Sequence, residues 1–231
     1  MNKKLSERFR RELLTKINEE PEFAENLVRF VFGMLSFPEN IREFSESAAS
    51  LGWFLTSEIV LSDMKQALDE SQECLDNYMV EEMTCNYIDI KKSLIKSHPE
   101  REHILSAAFY LHEQDNWIAS IPLFLSQTEG IFSENVGAML FSEHEQRKER
   151  LKAIFDSKAE QCMLFLSAPF ETKNQFSAGI SSASDSKKRN GPNRNGIMHG
   201  SRKHLDYGTK VNSFKCISLL SFVSSFFEGF D

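Results

Sequence analysis

The sequence predicts an all-α protein, and three observations carry that reading. Apolar residues recur every three or four positions along nearly the whole chain, the period of a helix with one buried face. Glycine and proline are scarce, 10 and 6 in 231 residues, which is too little punctuation for a many-stranded β architecture. Phenylalanine is frequent at 20, so the core between the helices is expected to be aromatic-rich. A chain of this length is ample for a packed core, as one large domain or two small ones.

Taken in order, Leu5, Phe9, Leu13 and Ile17 recur at about one turn each and predict an amphipathic first helix. Pro21 and Pro38 bracket a second, with Phe23, Leu27, Phe30, Val31 and Met34 inward. A third is expected from about Ile41 through Phe44, Ala48, Leu51 and Leu55 to Ile59. A longer, weaker pattern follows through Met64, Leu68, Leu75, Met79 and Met83.

Ser97-His98-Pro99-Glu100 is the clearest boundary. Serine with glutamate three residues on is a capping box, and proline fits the first helical turn. The expected division is therefore a helical N-terminal region over 1–97 and a helical bundle over 98–231.

Within the bundle, Ile104, Leu105, Ala108, Phe109 and Leu111 mark one helix, ended by the polar break Glu113–Asn116. Trp117 to Phe132 is apolar almost all round and is expected to be buried, Gln127 and Glu129 with it. Ser142 and Glu145 are the expected cap of a long helix through Leu151, Ile154, Phe155, Ala159, Cys162, Met163 and Leu166, ended by Pro169. Residues 170–193 have no periodicity and read as a loop, projecting as far as about residue 200. The last helix begins near Thr209 or Asn212 and runs through Phe214, Ile217, Leu220, Val223 and Phe227.

The net charge of −7 argues against bulk attraction to DNA, but its distribution is uneven. From Ser186 to Lys210 there are seven basic residues (Lys187, Lys188, Arg189, Arg194, Arg202, Lys203, Lys210) against one acid, Asp206. One basic patch on an acidic body points to a focused anion site. The four cysteines, Cys74, Cys85, Cys162 and Cys216, are far apart and read as reduced core thiols. No signal-peptide core follows the N-terminus, and the most apolar stretch, Phe214 to Phe227, is shorter than the ~20 residues that cross a bilayer. The expectation is a cytoplasmic protein with no membrane contact.

The basic segment contains Asn193-Arg194-Asn195-Gly196-Ile197-Met198-His199-Gly200. Arginine can hold a phosphate bidentately, and histidine near its ordinary pKa can move a proton at neutral pH. RNA carries its own nucleophile, the 2′-OH, so cleavage needs a base, an acid and a cation at phosphorus but no metal. Lys187, Lys188, Arg189, Arg202 and Lys203 either steer RNA by charge or form a solvated loop surface.

This spacing resembles the R-x4–6-H signature of the HEPN superfamily, with a polar residue directly after the arginine. "HILSAAFYLHEQDNWIASIPLFLSQTEGIF" upstream and "HGSRKHLDYGTKVNSFKCISLL" downstream look like the helices that flank the motif in a bacterial subgroup. The resemblance covers about residues 99–231. It implies an endoribonuclease in a defence or toxin setting, with an antitoxin or sensor as a further partner. It also implies a homodimer whose two motif loops share one cleft, with no cofactor and no metal. Arg194 would then hold the scissile phosphate, His199 act as general acid or base, and Asn195 orient phosphate or imidazole. Products would be a 2′,3′-cyclic phosphate and a 5′-OH. Glu129 would orient Arg194 or His199, the alternative being a helix-packing hydrogen bond elsewhere. Ser201 stands where nucleotidyltransferase-paired relatives carry tyrosine, so control by tyrosine modification is not expected.

Two other readings stay open: a non-catalytic module that binds RNA or a protein partner, and a helical scaffold whose basic loop is incidental. No GxxxxGK[ST] loop, GxGxxG turn, compact carboxylate cluster or His/Cys ligand spacing is present, which leaves nucleotide hydrolysis, dinucleotide chemistry and zinc without support.

Overall fold

A computed structural model describes residues 40–141, 144–158, 164–181 and 190–228. The chain divides into two compact units, residues 1–41 and 42–231. The first two expected helices lie outside the described residues. The boundary expected at 97/98 falls inside the second unit, because residues on both sides of it bury their apolar faces in one core.

The described residues are all-α, with no strand among them. Helix α1 covers residues 40–50, followed by α2 (Leu61–Glu70), α3 (Gln72–Cys85) and α4 (Tyr87–Ser97). Next come α5 (Glu102–Glu113), α6 (Trp117–Val136), α7 (His144–Lys158) and α8 (Leu164–Glu171). The short α9 (Arg194–Met198) and the long α10 (Lys210–Glu228) complete the order.

Several boundaries differ from the sequence expectation, each for a local reason. Helix α1 stops well before Ile59. Gly52 adopts φ +86°, and the backbone N–H groups of Gly52 and Trp53 close on the carbonyls of Ala49 and Ala48. This pattern satisfies the last carbonyls of a helix and turns the chain out. The weak pattern through Met83 is two helices rather than one. Ser71 is extended between them and accepts the Cys74 N–H on its side chain at 3.1 Å, an N-cap that starts α3.

The capping box at Ser97 does not form. Ser97 is the last residue of α4, and Pro99 opens a 3-10 turn, Pro99–Arg101, ahead of α5. Proline there meets no unsatisfied demand for a donor. Pro169 does not end its helix either. Helix α8 continues to Glu171, and Phe170 behind it packs on Phe132, Phe222 and Phe226 with ring centroids 4.9–5.1 Å apart. Ser142, Ala159, Cys162 and Met163 lie outside the described residues.

The core is aromatic as expected. Trp53, Phe109, Phe124, Phe132, Phe176 and Phe214 are fully buried. Helices α6 and α10 are its centre: nearly every residue of α10 from Ser213 to Ser224 is buried, four of them serines. Small side chains let two helix backbones approach closely, and Ser218 returns its hydroxyl to the Lys215 carbonyl at 2.9 Å. Among the thiols of the described residues, Cys216 is a core residue, Cys74 is half-buried and Cys85 is exposed. No helix among the described residues is long and apolar enough to cross a membrane.

Pro122 inside α6 cannot donate to the Ile118 carbonyl one turn back. The Tyr207 hydroxyl donates to that carbonyl instead, at 2.9 Å. The segment ahead of α10 is thereby fastened to the notch that Pro122 creates. A Cβ at Gly208 would lie 2.3 Å from Ile118 Cγ1, so only glycine permits that approach.

His112 joins α5 to the same helix pair. Its Nδ1 lies 2.7 Å from Ser213 Oγ, and Tyr87 stacks on its ring at 5.3 Å. Its pKa is lowered to about 4, chiefly by burial, with Lys210 adding and Glu113 and Asp115 opposing. A histidine depressed in the fold contributes stability that is complete above its unfolded pKa and is lost as pH falls through the folded one. Wild-type protein is therefore expected to lose about 3 kcal/mol between pH 6.5 and 4 from this group. Melting curves across that window check it: His112→Asn should flatten the profile, and an unchanged slope would remove His112 as the cause.

Candidate functional site

Helix α9 carries Arg194 and Asn195, and His199 is the residue that closes it. Five residues rarely make a stable helix alone, so this one depends on caps and docking. Asn193, 1% exposed, does both jobs. Its Oδ1 accepts the Gly196 N–H at 2.6 Å, while its Nδ2 donates to the carbonyls of Gln175 and Ala178 at 2.9 and 2.7 Å. The Arg194 N–H donates to the Phe176 carbonyl at 3.2 Å. At the other end, the N–H groups of Gly200 and Ser201 close on Ile197 and Gly196, with Gly200 at φ +62°.

Gly196 has a different reason to be glycine. A Cβ there would lie 2.3 Å from the ring of His204, which is itself 1% exposed and donates from Nε2 to the Ile180 carbonyl at 3.2 Å. The segment Asn193–Gly200 is thus a pinned helical turn rather than an open loop.

Glu129 comes to this turn from α6. Gly137 in the left-handed region ends that helix, and the chain folds back so that the Phe141 N–H donates to Glu129 Oε1 at 3.4 Å. Oε2 makes no hydrogen bond and faces Arg194 Nε at 3.5 Å, an ion-pair distance. Their side chains are 7% and 25% exposed. Burial raises the Glu129 pKa above the usual carboxylate range, while the Phe141 N–H, Arg194, the Leu140 N–H and Arg147 pull it back.

The Arg194 guanidinium also lies 5.9 Å from the Phe141 ring centroid and donates to Asn195 Oδ1 at 3.3 Å. A carboxylate, an aromatic face and an amide together hold it in one orientation. Asn195 Nδ2 faces the Ala178 carbonyl at 3.4 Å, so this amide serves the arginine and the adjacent turn, not the imidazole.

His199 stands apart. Its side chain is exposed; the backbone N–H reaches the Asn195 carbonyl at 3.1 Å, but no hydrogen bond, ion pair or ring contact joins the imidazole to Arg194, Asn195 or Glu129. Five positions along a helix separate two side chains by about 140° around the axis. One chain therefore brings Arg194, Asn195 and Glu129 together and leaves His199 on another face.

Arg202 and Lys203 are exposed on the 3-10 turn Arg202–His204, whose cap is Ser201. Lys187, Lys188 and Arg189 lie outside the described residues. No group of three or more His, Cys, Asp or Glu among the described residues is placed to hold a metal ion.

Three residues of this region were not evident from sequence. Asn193 had a signal, since asparagine is among the preferred N-cap residues. Arg147 of α7 had none; it is 3% exposed and donates to the Leu140 carbonyl of the same fold-back that holds Glu129. His204 was part of an exposed-looking basic run, yet it is the buried one of that run. No family profile, curated protein or solved structure matches the chain.

Proposed function

We propose that this protein is a metal-independent endoribonuclease of HEPN type, cytoplasmic and active as a homodimer, in defence or growth arrest. The observation that supports this reading is a buried carboxylate holding a half-buried arginine on a pinned turn that also carries an exposed, unpartnered histidine. A guanidinium fixed before substrate arrives is what phosphate binding and transition-state stabilisation require. An imidazole free of internal partners is available for proton transfer.

Because Arg194 and His199 diverge within one chain, the catalytic pair is completed between two copies. Arg194 of one copy holds the phosphate, and the other copy supplies the imidazole. The 2′-OH then attacks phosphorus, the 5′-oxygen departs with a proton, and a 2′,3′-cyclic phosphate remains.

The test is incubation of purified full-length protein with total RNA in excess EDTA, followed by end-group analysis. Cutting that persists in EDTA and leaves cyclic phosphate and 5′-OH ends is the expected outcome. RNA left intact under varied pH and salt removes the nuclease reading. Salt-sensitive RNA binding without cutting would favour a non-catalytic binding module, a reading to which the internal neutralisation of Arg194 by Glu129 lends weight. A strict monomer at micromolar concentration would contradict the shared site.

A further inference from the structure

The Arg194 guanidinium has N–H donors on three nitrogens, and the chain engages two of them. Nε faces Glu129 Oε2 at 3.5 Å, and Nη1 donates to Asn195 Oδ1 at 3.3 Å. Nη2 takes part in neither contact, and the side chain is 25% exposed. A guanidinium with donors still open is suited to a phosphate oxygen.

The carboxylate beside it is short of partners of its own. Glu129 is 6% exposed, with one 3.4 Å hydrogen bond from the Phe141 N–H to Oε1 and none on Oε2. The groups that favour its charge are the Phe141 and Leu140 N–H of the fold-back, Arg194 of α9 and Arg147 of α7. Arg147 is shared with Glu171 of α8 and with the Leu140 carbonyl. Other cations packed on α6 are engaged elsewhere. Arg101 donates to Gln127 and Glu134, and Lys215 of α10 pairs with Asp76. A phosphate arriving at Arg194 therefore competes with Glu129 for the same positive charge.

We propose that the Arg194 site takes up a phosphodiester together with a proton, and that the proton goes to Glu129. Two anions on one guanidinium repel, and with Glu129 buried that repulsion is weakly screened. A buried carboxylate deprived of its countercharge becomes the neutral acid. Burial already raises the Glu129 pKa, so the further rise needed is small. The sign follows from linkage: phosphate binding raises the Glu129 pKa, so a lower pH must tighten phosphate binding. Ionised Glu129 holds the site in a restrained state, and acidification releases it. This regulation rests on the proposed role of Arg194 in holding phosphate, but not on cleavage.

The probe is a short oligodeoxythymidylate, which has phosphodiesters but no 2′-OH and no base that titrates in the acid-to-neutral range. It is titrated into the full chain in buffers of different ionisation enthalpy between about pH 5 and 8. Calorimetry is expected to show uptake of up to about one proton per site, with affinity rising by up to about tenfold per pH unit as pH falls. Glu129→Gln keeps an acceptor for the Phe141 N–H and removes the charge. It should bind at neutral pH about tenfold more tightly than wild type, with that uptake gone. His199→Ala should retain the uptake.

No binding at the acid end, binding without uptake, or uptake that survives in Glu129→Gln or disappears in His199→Ala would overturn the proposal. So would weaker binding by Glu129→Gln, which would show a carboxylate that only orients the arginine. The wild-type titration decides the matter even if Glu129→Gln does not fold. Digestion of total RNA in EDTA, run in parallel, separates this from the nuclease reading. Proton-coupled binding with RNA left intact keeps the proposal and sinks the nuclease. RNA that is cut, with no proton taken up on binding, does the reverse.

Discussion

Replacing Asp76 with alanine is expected to destabilise the protein by about 3–5 kcal/mol, the usual consequence of leaving a buried charge without its partner. Lys215 of α10 is fully buried, its side chain 2% exposed. Its Nζ lies 2.9 Å from Asp76 Oδ1, donates to the Asn190 carbonyl at 2.5 Å, and sits 5.3 Å from the Trp53 ring centroid. Trp53 donates its indole N–H to the same carboxylate oxygen at 2.6 Å. Burial lowers the Lys215 pKa, and Asp76 is what opposes that.

One carboxylate of α3 therefore secures the tryptophan behind α1, the central helix, and the backbone that leads into Asn193. In a chain of this size the loss corresponds to a fall in melting temperature of roughly 6–20 °C, measured by circular dichroism. Adding Lys215→Met to Asp76→Ala should recover most of it, because the stranded charge is then gone. A loss below about 1 kcal/mol for Asp76→Ala would show that Lys215 reaches solvent or sheds its proton at little expense.

The second large effect is on activity. His199→Ala is expected to lower RNA cleavage by about 10²–10⁴-fold, the size of a general acid–base contribution, with RNA affinity nearly unchanged. The variant is clean for a structural reason. The end of α9 is closed by backbone groups of Gly196, Ile197, Gly200 and Ser201, and the His199 side chain contributes nothing to it. Arg194→Ala is not clean, because it leaves Glu129 buried with only the fold-back N–H groups and Arg147 to compensate it. It should lower stability and affinity as well as rate. Mixing the two variants is expected to restore part of the activity, since one intact Arg194–His199 pair forms per mixed dimer. Full cleavage by His199→Ala would end the catalytic assignment, and mixtures that stay inactive would end the shared site.

The helical architecture was legible because helix periodicity is a local property: Phe109, Phe124, Phe132, Phe214 and Leu220 declare their buried faces through spacing alone. The start of α10 was legible too, since Thr209 accepts the Asn212 N–H on its side chain at 3.2 Å. The burial of Glu129 followed from the apolar residues on every side of it. Ser71 and Gly52 broke the weaker patterns in ways that apolar spacing does not record, because a cap or a positive φ is decided at one residue.

What tertiary structure alone decided is which distant groups meet. Glu129 and Arg194 are 65 positions apart in the sequence, and their pairing depends on a fold-back at Gly137 that no periodicity encodes. The divergence of Arg194 from His199 is likewise invisible in a spacing rule, which counts residues but not the direction of side chains around an axis. Arg147 and Lys215 were unremarkable as letters in a polar or apolar run. Burial is what gives them consequence, since a charge removed from water must find its counter-charge wherever the fold supplies one.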